Sequence, residues 1–196
     1  MVTNTAPQAD GPVDGRVQRS ERSRNAIVQA LLNLVGEGIL EPTAQQVAER
    51  ADVGVRTVFR HFSDMDTLFA AMNDRLTQKI SGFFVQQIQA GSRAARIEAL
   101  IERRAKIFGF IEPYRRAQEI QRSRSAFLQK QHELSIKILR ADLSRWLPEI
   151  KDFESELTDA LELTLSFESW ERLRFDQRLS AKRAQSVMRR MVFALL

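Results

Sequence analysis

The chain has 196 residues, of which 43% are hydrophobic and 28% charged, with a net charge of +5 and no cysteine. That is the balance of a folded globular chain with a sizeable core, and it excludes disulfide scaffolds, thiolate zinc sites, iron–sulfur clusters and cysteine nucleophiles. The two histidines, His61 and His132, have no H-x-x-x-H spacing, no apolar run approaches the roughly 18–20 residues of a membrane span, and the first residues, MVTNTAPQADGPVDG, lack the apolar segment of a secretory signal, so the expectation is a cytoplasmic protein without metal, cofactor or membrane contact.

Taken in chain order, residues 1–17 hold Pro, Gly, Asn and Asp without an aromatic and read as a disordered arm. Arg16, Arg19, Arg22 and Arg24 follow closely, opposed only by Glu21; the cluster reads either as a solvated arm or as one that tracks a phosphate backbone. From Ser20 onward the apolar spacing is helical and strand-like alternation is missing, so the fold class is all-α. A first helix is predicted over Arg19–Gly36, with Ile27, Ala30, Leu31, Leu34 and Val35 on one face and Gly36 and Gly38 as its stop. Thr43 and Gln46 form a capping box for a short second helix ending near Ala51. A short third helix spans about Val55–Phe62. Ser63 and Asp66 read as another capping box, opening a helix to about Gln89 that would be roughly 40 Å long. Further helices are predicted from Ser92 to just before Pro113, over Pro113–Arg122, Ser125–Leu147, Asp152–Phe175 and Ser180–Leu195.

The chemistry concentrates in TAQQVAERADVGVRTVFRHF, Thr43–Phe62. Ala48 sits where two short helices cross closely. Asp52 occupies a turn that needs positive φ, and Asp is among the few residues besides Gly that tolerate it. Val47, Val53, Val58 and Phe62 supply a small core with the first helix. Arg56, Thr57, Arg60 and His61 face outward. Such a helix suits the major groove, where arginine grips guanine with two hydrogen bonds and hydroxyl and backbone N–H groups hold phosphates. His61 has a second reading, as a cation at a helix C-terminus. His132, between Gln131 and Glu133, reads as a satisfied surface residue or a ligand contact.

These residues resemble the TetR family of transcriptional regulators. Val47-Ala48-Glu49-Arg50-Ala51-Asp52-Val53 stands for its I/V-A-x-x-A-G-V, and Gly54-Val55-Arg56-Thr57-Val58-Phe59-Arg60-His61-Phe62 for its S-x-x-T-L-Y-x-H-F. The resemblance is dense over about residues 20–70. Four departures stand out: Asp52 for the turn Gly, Gly54 for the Ser cap, Phe59 for Tyr, and Met65 for Lys. The last three each remove a polar contact. The resemblance implies an N-terminal three-helix helix–turn–helix domain (18–65) joined by a long helix to a ligand-binding and dimerisation domain (66–196). It implies a homodimeric repressor, not an enzyme, that binds pseudo-palindromic double-stranded DNA and is released by a small-molecule inducer. The alternative is a helical module for protein or membrane interaction. The DNA-binding residues would be Arg19, Arg22, Thr43, Arg56, Thr57, Phe59, Arg60 and His61.

The last two predicted helices are apolar on broad faces, which pairing with a second copy in a four-helix bundle would cover; the alternative is that both pack inside one chain. Leu161, Leu165, Trp170, Val187, Met188, Met191 and Leu195 are the expected interface. For the inducer cavity the expected lining is Phe84, Ile88, Leu100, Arg104, Phe108, Phe127, Gln131, Phe167 and Glu168, apolar walls with a few polar groups to orient a ligand. Residues 93–124 carry nine basic and four acidic side chains, which fits either an anionic ligand or a solvated surface.

Overall fold

A computed structural model describes residues 15–85 and 91–196, which form helices and turns with no strand among them. Helix α1, Gly15–Gly36, begins four residues earlier than predicted, with the Arg19 Nε donating to the Gly15 carbonyl at 3.0 Å. Gly15–Val17 therefore belong to the helix rather than to a disordered arm, and the remainder of that arm lies outside the described residues. Gly38 ends α1 at φ 95°, where the amides of Gly38 and Ile39 donate to Val35 and Leu34. Only a residue without Cβ takes that conformation at little cost.

Helix α2, Ala44–Arg50, carries the capping box expected at Thr43, with both reciprocal bonds formed. Helix α3, Val55–His61, starts at Gly54 without a side-chain cap. Helix α4, Met65–Val85, is capped by Asp64 rather than by the expected Ser63–Asp66 pair. The Asp64 carboxylate accepts from the Thr67 amide at 2.8 Å, and that bond holds the carboxyl below its ordinary pKa. The aspartate, one residue nearer the helix, reaches the free amide directly.

Helix α5, Arg93–Arg122, runs unbroken through Pro113, where two helices were expected. A proline inside a helix costs about 3 kcal/mol, and contacts on both sides of it offset that. Glu112 accepts from Trp170 Nε1 at 3.1 Å and Arg174 Nε at 3.2 Å, while Ala117, wholly buried, sits in the N-terminal core. Helix α6, Ala126–Trp146, is N-capped by Ser125 and followed by a 3-10 turn at Pro148–Asp152.

The single helix predicted over 152–175 is broken into α7, Ser155–Thr164, and α8, Phe167–Glu171, with a π turn at Arg172–Asp176. Ser166 caps the restart by accepting from the Ser169 amide. The Leu165 carbonyl, freed at the break, accepts from Arg104 at 2.6 Å. Helix α9, Ala181–Leu195, closes the chain.

Two cores result. The N-terminal one joins α1–α3 to Leu68, Phe69, Met72 and Leu76 of α4 and to Ala117 of α5. The C-terminal one gathers α5–α9, with Ile80, Phe83 and Phe84 of α4 packed against it. Helix α4 thus belongs to both. Phe110, Leu134 and Ile138, on apolar stripes in the sequence, are 41%, 46% and 42% exposed.

A cluster of Arg103, Arg104 and Asp142 is buried in the second core. Arg103 pairs with Asp142 and donates to the Phe83 carbonyl at 2.8 Å, its guanidinium lying over the rings of Phe84 and Trp146. Removing one partner of a buried ion pair leaves an uncompensated charge, at about 3–5 kcal/mol. Asp142→Ala is therefore expected to lower the unfolding free energy by about that amount, measured by urea denaturation; a loss under about 1 kcal/mol, the scale of an exposed pair, would contradict the burial of the cluster.

Candidate nucleic-acid interface

The turn between α2 and α3 has the backbone that the sequence requires. Asp52 adopts φ 53° and Ala48 is buried where the helices cross. Val47, Val58 and Phe62 are buried beneath α3, with Val53 partly buried against the same core. This leaves one face of α3 toward solvent. Arg56 and Arg60 are exposed on it, Thr57 and His61 are half-buried, and Phe59 is 49% exposed. Its aromatic ring lacks the shielding that a core residue would have.

Thr43 is exposed at the start of α2, and its hydroxyl is engaged with Gln46. Arg19 and Arg22 are exposed on α1, so they project from a helix and not from a loose arm. Arg24, grouped with them in the sequence, lies over the Phe62 ring at 5.0 Å and ties α1 to the end of α3. Two further ties were not legible in the sequence. Arg50 grips Glu37 with two bonds of 2.6 and 2.8 Å, and Arg75 donates to Asn25 at 2.9 Å. No local pattern reveals pairs separated by 13 and 50 residues.

His61 stands at the end of α3 with its Nε2 enclosed and without a hydrogen-bond partner. Burial first, and then the charges of Arg60 and Arg24, hold it below its ordinary pKa of 6.5. The helix-end cation reading is therefore disfavoured near neutral pH. His132 is held down in the same way by burial, Arg115 and Arg122, and its Nδ1 lies 3.0 Å from Arg115.

The expected cavity residues are placed apart. Leu100, Phe108 and Phe167 are buried members of the C-terminal core, with Phe108 and Phe167 edge to face at 5.6 Å. Phe84 packs half-buried under Arg103, Phe127 is half-buried, and Gln131 accepts from Asn73 at 3.1 Å. Ile88 lies outside the described residues. Arg104 and Glu168 do come together, lining a depression between α6 and the α7–α8 break.

The expected interface residues differ in how far their own chain covers them. Leu161, Leu165, Trp170 and Met188 are buried inside a single chain, because α7, α8 and α9 close on α5. Val187 and Met191 are half-buried and Leu195 is 38% exposed. Leu163, one of the apolar residues of the same predicted helix, is 66% exposed on α7.

Residues 27–72 match the model of the bacterial regulatory proteins of the tetR family. Among solved structures the chain is similar to a transcriptional regulator from Rhodococcus sp. Rha1, at TM-score 0.65 and 19% identity over 90% of this chain and 95% of that one. It is similar also to a candidate TetR-family regulator from Mesorhizobium loti MAFF303099, at 0.66 and 17% over 91% and 96%. A TetR-like regulator from Rhodococcus sp. RHA1 follows, at 0.54 and 18% over 89% and 93%. These likenesses show the fold. A comparison with curated proteins finds no match.

The depressed histidines make stability depend on pH. The unfolded chain protonates near the ordinary value of 6.5, before the folded one does. Their contribution is therefore full above that pH and is lost as pH falls through the lower folded values. The urea midpoint is expected to fall between about pH 7.5 and about pH 5.5, and the fall to shrink in the double variant His61→Gln, His132→Gln. An equal fall in that variant would place the effect elsewhere.

Proposed function

We propose, for a chain whose residues 27–72 match the model of the tetR family of bacterial regulatory proteins, a sequence-specific DNA-binding transcriptional regulator that acts in the cytoplasm as a homodimeric repressor and leaves its operator when a small molecule binds. The observation that carries this reading is the solvent face of α3, which presents Arg56, Arg60 and Phe59 on a short helix held by a close-packed turn. That geometry fits a recognition helix in the major groove.

In this reading Arg56 and Arg60 read base edges, Thr57 and Thr43 hold phosphates, and His61 and Phe59 pack against the backbone or a thymine methyl. Arg19 and Arg22 extend the phosphate contacts from α1. Release runs through α4, whose N-terminal half packs on α1 in the core shared with α2 and α3 and whose C-terminal half packs on the effector domain. A ligand that tilts this helix changes the distance between the two recognition helices of a dimer. It must bind the DNA-incompetent state more tightly, and moving a 1:99 population to 99:1 takes about 5.5 kcal/mol of that preference. The dimer face, with Leu161, Leu165, Trp170 and Met188 already covered, is assigned to Val187, Met191, Leu195 and Leu163.

A gel shift against the DNA upstream of the chain's own gene tests the reading as a whole, and loss of binding with every such fragment would refute it. Within it, Arg56→Ala is expected to weaken operator binding by about 1–3 kcal/mol and to relax one base position, as loss of a base contact does. Thr57→Ala is expected to weaken binding to all sequences alike. Site selection that returns an unchanged preference for Arg56→Ala would remove it from base reading. The double variant Leu163→Asp, Leu195→Asp is expected to sediment as a folded monomer with lowered operator affinity. A dimer that survives both charges would move the interface.

A further inference from the structure

Burial in the effector domain leaves a charge unbalanced. Arg103 and Arg104 share a single buried carboxylate, Asp142, which Arg103 engages directly and which lies 3.7 Å from Arg104. Arg104 spends its two terminal nitrogens on the carbonyls of Leu165 and Leu139, and its Nε has no hydrogen-bond partner. Carbonyl oxygens hydrate a guanidinium but do not neutralise it. Burial accordingly lowers the Arg104 pKa to about 10 against the pull of Asp142.

This same residue lines the depression between α6 and the α7–α8 break, whose cavity volume is about 50 Å³. That is space for a head group of a few atoms and not for a large ring system. Two acids also line it, and each is matched by an arginine. Glu162 is held by Arg140 through bonds of 2.7 and 2.6 Å, and Glu168 lies 3.6 Å from Arg115. The rim is therefore near neutrality, and the excess positive charge lies at the floor. Ser166 also lines it, its hydroxyl accepting from the Ser169 amide and donating to the Ser169 hydroxyl at 3.4 Å. The other wall is apolar, formed by Leu143, Leu139 and Ile136, the last 43% exposed and running outward.

We propose that this depression binds a monocarboxylate with an apolar tail, its head group directed at Arg104 and its tail along Leu143, Leu139 and Ile136. The assignment rests on the reading of residues 66–196 as an effector domain and names the chemical class of its ligand. One negative charge matches the excess of two buried guanidinium groups over one carboxylate. The small head space and the open apolar wall together select a slender anion over a bulky one.

The test uses the full chain with hexanoate as the probe, and hexanol and acetate as controls that lack the charge or the tail. Binding is read by calorimetry and by tryptophan fluorescence, since Trp146 lies over the Arg103 guanidinium and Trp170 stands in the same core. Hexanoate is expected to saturate one site per chain, with both controls weaker by about tenfold or more, the scale of a lost hydrogen bond to a charged group. Ile136→Glu, a surface change beside the tail, is expected to weaken hexanoate by a similar factor while leaving the melting curve unchanged. Arg104→Met serves as the second variant where it folds. Equal binding of hexanol, no saturation, or undiminished binding by Ile136→Glu would each overturn the proposal. If hexanoate binds as expected and the protein stays on its operator, the site stands and the inducer reading fails. If a different compound releases the operator and hexanoate does not bind, the inducer reading stands and this site falls.

Discussion

Residues 15–62 are too few to bury a core of their own, and the architecture follows from how that shortage is met. The apolar faces of α1, α2 and α3 close only when Leu68, Phe69, Met72 and Leu76 of α4 are laid against them, with Ala117 of α5 beneath. The same α4 then presents Ile80, Phe83 and Phe84 to the second core. Its last described turns are held by arginines from other helices: Arg103 of α5 bonds the Phe83 carbonyl and Arg145 of α6 bonds the Phe84 carbonyl. A carbonyl oxygen has two lone pairs and can accept from a guanidinium at the protein's surface or interior. The orientation of α3 is thereby tied to groups in the C-terminal core.

A polar junction sits where the two cores meet. Asn73 of α4 donates to Gln131 of α6 and accepts from Gln118 of α5 at 3.3 Å. Nearby Arg115 of α5 contacts His132 and Ser135 of α6 and the carboxylate of Glu168 on α8. Apolar surfaces slide with little change in energy, whereas hydrogen bonds of this kind have a definite register. These bonds fix the register of α4, α5, α6 and α8 against one another.

Arg104 joins these themes. It donates to the carbonyl exposed at the α7–α8 break and to a carbonyl of α6, so one guanidinium holds two elements together. The cost of burying it is met by bonds to both and by the shared Asp142. Loss of a pair of this kind exposes the price of desolvation rather than the worth of the contact. The same arrangement gives the depression beside it a positive floor. Structural support and a site for an anion thus arise from one residue.

The sequence by itself determined most of what neighbours in the chain govern, although it misplaced the start of α1 and the cap of α4. Apolar spacing identified the helices and the faces of α1 and α2, the Thr43–Gln46 pair identified the start of α2, and Asp52 marked the turn that aims α3. The outward residues Arg56 and Arg60 followed, because the opposite side of so short a helix is needed for packing. What only the tertiary structure decided depends on partners far apart in the chain. Pro113 lies inside a helix because Glu112 meets Trp170 and Arg174, and the helix over 152–175 breaks where Arg104, 61 residues away, receives the Leu165 carbonyl. Trp170 and Met188 are covered by their own chain, not left for a partner, because α9 packs on α5. Helical periodicity reports that a face is buried, and it contains no information on which surface buries it.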